Sequence, residues 1–163
     1  QVLCLADGEG RNSVHLASLG HQVTAIDQSQ VGLDKAAALA EQRKVSIETI
    51  VADLTHYDLG IESWDCIVSI FFHLPANHRD LIYPRIVAAL KPGGLLILES
   101  YSPEQVSYGT GGPPVPEMMP TPKELSQHFA ALDIIHLEQI EREVIEGFGH
   151  TGLASVVQLL AKR

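Results

Sequence analysis

The stretch VLCLADGEGRNS, residues 2–13, decides the fold. Its first five residues, 2–6, are apolar and predict a buried strand, and the two glycines that follow, Gly8 and Gly10, predict a tight turn. Residues 11–19 then carry apolar side chains at helical spacing and stop at Gly20, which readily takes the left-handed position after a helix. A strand that enters a helix through a glycine turn begins a βαβ unit. The free N–H groups at the start of that helix favour anionic or polar ligand groups.

Short apolar runs alternate with amphipathic stretches along the following part of the chain, which favours βαβ units and a mostly parallel sheet. The five predicted strands cover residues 2–6, 22–26, 47–52, 66–71 and 95–100. A second helix is predicted after the capping residue Ser29. A third covers residues 77–90, where Pro84 predicts a kink or the start of a second segment, and the KPGG sequence at 91–94 predicts its end.

The composition of the chain changes after the fifth predicted strand. Six of its nine prolines fall between Pro103 and Pro122, which predicts a long ordered loop of the kind that forms lids and binding loops. A capping box at residues 121–124 predicts a short helix. The two final strands, 134–143 and 154–161, are separated by too few residues for a parallel crossover, so we expect an antiparallel pair. We expect one domain over residues 1–163.

The composition indicates a folded protein that avoids polyanions. Of the 163 residues 45% are hydrophobic, and 11 Lys and Arg against 20 Asp and Glu give a net charge of −9. That charge disfavours nucleic acid and anionic membrane surfaces as partners. No apolar run reaches the roughly 18 residues of a membrane span, and two cysteines in apolar runs favour a reducing cytoplasm. The chain enters its first strand at Gln1 without an initiator methionine, so we expect further residues upstream of it.

Two acids stand at the ends of predicted strands. Asp27 follows Gly10 by 17 residues, close to the spacing at which a carboxylate meets ribose hydroxyls. Asp53 ends the third strand, where it can accept a hydrogen bond from an adenine amino group or be an exposed turn aspartate. The third glycine of a dinucleotide fingerprint is replaced by Ser13, which disfavours NAD. No histidine pair has metal-ligand spacing, so no metal is expected.

Residues 5–12, 23–29, 51–54, 65–75 and 90–99 together resemble class I S-adenosylmethionine-dependent methyltransferases. The chain looks closest to the branch that includes tellurite-resistance and related small-molecule methyltransferases. With the terminal hairpin, the resemblance covers nearly the whole chain. It implies an α/β Rossmann-like three-layer sandwich with a seven-stranded, mostly parallel sheet and an antiparallel last strand. It also implies that S-adenosylmethionine lies across the carboxyl ends of the first strands and leaves S-adenosylhomocysteine as product.

The same resemblance implies which residues hold the cofactor. The glycine loop would contact the methionine part, Asp27 the ribose, Asp53 and Leu54 the adenine, and the end of the fourth strand the opposite wall. The full predicted set is Ala6, Asp7, Gly8, Glu9, Gly10, Arg11, Asp27, Gln28, Ser29, Asp53, Leu54, Ser69, Ile70 and Phe71.

The chain departs from the family pattern at two positions, because many members have an acid where Cys4 stands and a glycine where Ala6 stands. Asp7 is the candidate to supply the displaced acid for the methionine ammonium, if its side chain does not point elsewhere. Arg11 either pairs with the methionine carboxylate or is a solvated arginine of the first helical turn.

The candidate catalytic residues are His73 and Tyr101. His73 follows the fourth strand directly, where a histidine can accept a proton, orient an acceptor, or simply be hydrogen bonded within a loop. Candidate groups on the acceptor side are Phe71, Phe72, His73, Tyr101, Tyr108 and His150. No Asn-Pro-Pro-Tyr type tetrad follows the fourth strand, which argues against exocyclic base amines as acceptors.

The function favoured by these residues is in-line methyl transfer from S-adenosylmethionine to a small molecule, with no nucleic acid or membrane partner and with the oligomeric state left open. One alternative is a non-catalytic or degenerate nucleotide-binding domain. A second is an NAD-dependent oxidoreductase. The glycine turn and Asp27 also suit NAD binding, but Asp53 would then have no role in the site.

Overall fold

A single seven-stranded sheet organises the chain, with strand order β3-β2-β1-β4-β5-β7-β6. The computed structural model describes residues 1–145 and 151–163. The strands are β1 Val2–Leu5, β2 Val23–Asp27, β3 Glu48–Val51, β4 Trp64–Ile70, β5 Leu90–Tyr101, β6 Asp133–Ile145 and β7 Thr151–Lys162. Only β7 runs antiparallel to its neighbours, and the other adjacent strands are parallel. The predicted fold class is confirmed, including the antiparallel last strand.

Helices cover both faces of the sheet and make the structure three layers deep. They are α1 Arg11–Ser18, α2 Gln30–Gln42, α3 Ala76–Ala89 and α4 Pro122–His128, with short 3-10 helices at Pro103–Ser107 and Pro116–Met118. Both predicted caps are present. The Ser29 hydroxyl accepts a hydrogen bond from the Gly32 N–H, and the Thr121 hydroxyl accepts one from the Glu124 N–H.

The alternation of side chains along β1 explains this layering. Leu3 and Leu5 point to one face, where they join a core that includes residues of α3 and α4. Val2 and Cys4 point to the other face and pack with Ala17 of α1. All of β1 is therefore buried, as expected for the central strand of a parallel sheet covered on both faces.

Two local predictions around α3 are corrected. Helix α3 continues through Pro84, so the alternative of a second segment is wrong, while the alternative of a kink stays a prediction. The KPGG sequence is not a connector between helix and strand, because β5 already begins at Leu90. One residue separates Trp64 from Cys66 on β4, whereas four separate their partners Leu90 and Leu95 on β5, so the glycines and proline form a bulge within the strand.

The long loop after β5 lies at the carboxyl end of that strand. The Ser155 N–H donates to the Gln105 side chain at 2.9 Å, and the Thr110 hydroxyl donates to the Leu153 carbonyl at 2.8 Å. Because β7 is antiparallel to β5, these β7 residues lie beside the end of β5, where Tyr101 pairs with Val156. The loop is thus fastened at the edge of the sheet where the parallel strands end.

Within residues 1–145 and 151–163, no helix has the length and apolar character of a membrane span, and no group of three or more His, Cys, Asp or Glu side chains is arranged to hold a metal ion. Both cysteines are free thiols. Burial raises the pKa of Cys4 well above its usual value and that of Cys66 to about 11, so both stay protonated at neutral pH.

Candidate active site

A cavity of about 280 Å³ opens at the carboxyl ends of β1 to β4. Each of these four strands contributes residues just beyond its last hydrogen-bonded position. The lining residues are Ala6, Asp27, Gln28, Ala52, Asp53, Leu54, Thr55, Phe71, Phe72, His73 and Leu74. In open α/β sheets this crevice is where ligands generally bind.

Asp27 lies at the end of β2 and links the glycine loop to the start of α2. One carboxylate oxygen accepts a hydrogen bond from the Gly8 N–H at 2.9 Å, and the other accepts one from the Ser29 N–H at 2.8 Å. Each carboxylate oxygen can accept more than one hydrogen bond. Asp27 can therefore hold the loop and still receive hydroxyl donors from a ligand in the cavity.

Asp53 lines the same cavity as Asp27 and lies two residues beyond the end of β3. Hydrogen bonds from the hydroxyl and N–H of Thr55, with a smaller contribution from His56, lower the pKa of Asp53 to about 2. The carboxylate is therefore ionised at neutral pH and acts only as an acceptor. Thr55 was not singled out by the sequence, although a hydroxyl two residues after an aspartate is the usual partner in such a turn.

Two residues at the cavity have left-handed backbone conformations that are uncommon outside glycine. Ala6 follows β1 with φ of 50°, and Phe71 follows β4 with φ of 54°. Such conformations cost of order 1–3 kcal/mol each and cluster at ligand sites. Because β1 and β4 are neighbours, the two turns lie side by side at the mouth of the crevice.

His73 forms part of the wall that follows β4, together with Phe71 and Phe72. Its Nε2 atom accepts a hydrogen bond from the Tyr101 N–H at 3.2 Å, and its ring stacks on the Tyr101 ring with centroids 5.4 Å apart. A backbone N–H can only donate, so this contact requires a lone pair on Nε2 and favours the neutral imidazole.

The ring of Tyr101 lies behind this wall and not in the cavity. Only 1% of the residue is exposed, and it packs among Met119, Val144 and Val156. The backbone N–H of Tyr101 donates to the imidazole of His73, and His73 lines the cavity. The Tyr101 side chain does not line this cavity, and the predicted catalytic role of Tyr101 stays a prediction.

Comparison with known proteins assigns the chain to a family. Residues 2–94 match the family described as "Methyltransferase domain". The chain belongs to this methyltransferase family. The recognition of a class I S-adenosylmethionine-dependent methyltransferase from the sequence is thereby confirmed.

Three similar proteins illustrate the relationship. Uncharacterized methyltransferase YbaJ of Bacillus subtilis (strain 168) is 28% identical over 161 residues, covering 93% of this chain and 60% of that protein. TehB from Haemophilus influenzae has the same fold, with a TM-score of 0.81, 22% identity, and coverage of 99% of this chain and 57% of TehB. The N-methyltransferase NodS from Bradyrhizobium japonicum WM9, solved in complex with S-adenosylhomocysteine, gives a TM-score of 0.74, 17% identity and coverage of 99% and 76%. The methyltransferase chain spans 42% to 60% of the length of the curated relatives it matches.

The structure gathers some of the predicted cofactor residues at the cavity and places others elsewhere. Ala6, Asp27, Gln28, Asp53, Leu54 and Phe71 line it. Ser29 caps α2, and Ser69 is buried within β4. Glu9 forms an exposed ion pair with Lys35. Ala52 and Leu74, which the sequence analysis did not single out, complete the lining because they directly neighbour the predicted strand ends.

Arg11 and Ile70 line a second and larger cavity of about 600 Å³. It lies on the sheet face that α1 and α2 cover only in part, and Ile97 of β5 is 38% exposed there. Glu99 is held at this face by Arg142 and by the Gln158 amide at 2.5 Å. Asp27 and Asp53, the acids at the ends of β2 and β3, both lie at the smaller cavity, which makes that cavity the candidate cofactor site of the methyltransferase.

Two predicted acceptor-side residues have different outcomes. The Tyr108 hydroxyl donates to Glu141 at 2.5 Å on the surface, and this bond raises the pKa of Tyr108. His150 lies outside the described residues.

Asp7 faces the start of α1 instead of the cavity. Its carboxylate accepts hydrogen bonds from the Ser13 hydroxyl and from the Ser13 N–H, the latter at 3.2 Å, and both residues are buried. Burial raises the pKa of Asp7, although the hydrogen bonds from Ser13 act in the opposite direction. Ser13, in the place of a third glycine, is therefore the partner of a buried acid, and the predicted ammonium contact of Asp7 stays a prediction.

This raised pKa predicts that Asp7→Asn increases the free energy of unfolding at pH 7. A raised folded-state pKa stabilises the fold most below the ordinary aspartate pKa, and that contribution is lost as pH rises through the folded value. The asparagine keeps an oxygen for the Ser13 N–H and carries no charge to desolvate. Urea unfolding from pH 3 to pH 7 measures the difference, which we expect to be largest at pH 7. A variant that is less stable than wild type at pH 7 would show that the ionised carboxylate stabilises the fold.

Proposed function

We propose that the chain is the catalytic domain of an S-adenosylmethionine-dependent methyltransferase that transfers methyl in line to a small-molecule acceptor. The observation that carries the proposal is the pair of carboxylates at the ends of β2 and β3, which face one cavity beside an apolar wall from β4. A nucleoside needs this combination of hydroxyl acceptors, an acceptor for an amino group and an apolar surface for the base.

The residues present fit the adenosine part of the donor. The cavity volume of about 280 Å³ suits a nucleoside, and the glycine loop continues from Ala6 along the same edge of the sheet. Asp27 would receive the two ribose hydroxyls, and the ionised Asp53 would receive the adenine amino group. Leu54 and Phe72 would supply apolar contact to the base. The methionine part would extend toward the glycine loop and the start of α1.

Bound S-adenosylmethionine would supply an activated methyl group on a positively charged sulfur. The protein then has mainly to hold the acceptor in line with that methyl, and such positioning is worth roughly 7–11 kcal/mol of the barrier. An acceptor that is already anionic needs no base. For an acceptor that must lose a proton, His73 is the candidate base, provided that its Nε2 exchanges the Tyr101 N–H for the acceptor's proton.

The acceptor side would lie toward His73 and the loop after β5. That loop is attached to β7 at the same edge of the sheet as the cavity. The net charge of −9 favours a small neutral or cationic acceptor, or a small anion, over a polyanion.

Methyl transfer from labelled S-adenosylmethionine tests the proposal directly. The acceptor panel contains thiols, selenite, tellurite, halides and small carboxylates, with tRNA and DNA beside them at physiological salt. We expect label on at least one small molecule and none on nucleic acid. Because the relatives are longer than this chain, the assay uses the full-length protein. Transfer to nucleic acid alone, or binding of S-adenosylhomocysteine with no transfer to any acceptor, would contradict the proposal.

The role of His73 has its own test. For an acceptor that must be deprotonated, we expect His73→Ala to lower turnover by about 10²-fold or more while S-adenosylhomocysteine binds within twofold of wild type. For an acceptor that is already anionic, turnover should be nearly unchanged. Equal loss of turnover with both acceptor types would show that His73 does not act as a base.

A further inference from the structure

Two arginines of α3 reach out to the backbone of the two segments that form the cavity walls. The Arg85 guanidinium donates from Nη1 to the Leu54 carbonyl at 3.2 Å and to the Thr55 carbonyl at 3.0 Å. The Arg79 guanidinium donates from Nη1 to the Leu74 carbonyl. Leu54, Thr55 and Leu74 all line the cavity. One helix therefore holds the segment after β3 with one arginine and the segment after β4 with the other.

Arg79 occupies an unfavourable position for a cation. It lies in the first turn of α3, where the helix dipole is positive, and it is only 2% exposed. Its charge is balanced by Glu124 of α4, whose carboxylate accepts from Nε at 2.8 Å, and the Glu117 carbonyl in the long loop accepts from Nη1 at 2.9 Å. A buried ion pair of this kind adds little net stability compared with apolar packing, so its value lies in the geometry it specifies.

The spacing of the two arginines allows α3 to hold both walls of the cavity at once, an arrangement that we call the brace. They are six positions apart, which is about 9 Å along the axis of α3 and about 240° around it. Their side chains leave the helix in different directions and reach segments that are distant in sequence. Ile82, which lies between the two arginines, and Ile86, which follows Arg85, are both fully buried, and their core packing fixes this helix against the sheet.

We propose that Arg79 and Arg85 are positioning residues that set the distance between the two walls of the cofactor pocket. This role rests on the proposed function, because it takes the cavity as the site of S-adenosylmethionine. When either carbonyl contact is lost, the wall it holds samples positions in which the nucleoside does not fit. The apparent dissociation constant then rises in inverse proportion to the fraction of molecules that still have the binding geometry.

The test compares Arg79→Lys and Arg85→Lys with a matched control, Arg163→Lys. The guanidinium of Arg163 also donates to two backbone carbonyls, those of Ala88 and Leu90, and forms an ion pair with Glu62. It lies at the opposite edge of the sheet, where the Gly93 N–H donates to its carbonyl. Lysine keeps the charge in all three variants but lacks the planar arrangement of donors that serves several carbonyls at once.

Three quantities are measured for each variant: the dissociation constant of S-adenosylhomocysteine by calorimetry, the unfolding temperature, and amide hydrogen exchange. We expect about tenfold weaker binding for Arg79→Lys and for Arg85→Lys. Exchange should rise at residues 71–74 in the first variant and at residues 52–55 in the second. Arg163→Lys should lower the unfolding temperature by a similar amount and leave binding within twofold of wild type.

The possible failures are distinguishable. Normal binding in both α3 variants, with loss of binding in Asp27→Ala, would overturn the brace and leave the proposed function standing. Equal weakening in Arg163→Lys would also overturn it, because the effect would then be general destabilisation. If wild type does not bind S-adenosylhomocysteine, the proposed function fails and the brace fails with it. If Arg79→Lys does not fold, Arg85→Lys decides, since its contacts involve no buried ion pair.

Discussion

Alanine in place of Asp27 is expected to weaken the binding of S-adenosylhomocysteine by about 2–4 kcal/mol, or roughly 30- to 900-fold. Two ribose hydroxyls would each lose a charged acceptor, and such hydrogen bonds are worth more than neutral ones. The carboxylate also holds the Gly8 N–H and the Ser29 N–H, so its loss releases the glycine loop as well. Calorimetric titration of both proteins measures the difference.

Two further variants separate the ribose contact from other effects of the mutation. Asp27→Asn keeps one oxygen acceptor and the side-chain shape, and should bind with intermediate affinity. Asp34→Ala removes the same charge from the exposed surface of α2, where the Asp34 carboxylate accepts a hydrogen bond from the Gln30 amide, and should bind like wild type. Wild-type affinity in Asp27→Ala would contradict the ribose assignment.

Alanine in place of Gly10 is expected to lower the free energy of unfolding by about 2–5 kcal/mol. Gly10 has φ of 86°, where a side chain costs about 1–2 kcal/mol. A Cβ atom at this position would also lie 2.6 Å from the Cβ and 2.8 Å from the Cα of Ala36 in α2. Overpacking of this kind costs about 1–3 kcal/mol, because the backbone of one helix has to move. Urea unfolding of wild type and variant measures the sum of the conformational and overpacking costs.

Gly20 provides the matched control. It follows α1 with φ of 93°, but a Cβ there would meet no atom within 4 Å. Gly20→Ala should therefore cost only the conformational part, about 1–2 kcal/mol. The difference between the two variants isolates the close approach of α1 and α2 beneath the glycine loop. Equal losses would show that this approach is not a constraint on the fold.

The sequence was sufficient for the layout of the fold because the deciding signals are local. The glycine turn after β1, the capping serine Ser29 and the capping box at Thr121 each act within a few residues, and each appears as predicted. Acids at the ends of β2 and β3 could be placed at one cavity because parallel strands end at the same edge of a sheet. Asp27 and Asp53 do line that cavity.

What the sequence left open or missed concerns directions and partners that it does not encode locally. Asp7 is next to the cavity in sequence, and its side chain accepts hydrogen bonds from the Ser13 hydroxyl and N–H, a direction that the sequence left open. The KPGG residues were predicted to form a turn between helix and strand. They instead form a bulge within β5, between positions that pair with β4. Arg85 contacts carbonyls about 30 residues away, and no periodicity within α3 reveals that.

A crystal structure of the protein soaked with S-adenosylhomocysteine tests the central claim most directly, because it locates the nucleoside. We predict that the ribose hydroxyls lie within hydrogen-bond distance of Asp27 and the adenine beside Asp53 and Leu54, with the sulfur toward His73. Density for the nucleoside at the sheet face beside Ile97 and Glu99, or an empty cavity at a ligand concentration that saturates binding in solution, would contradict the assignment of this site.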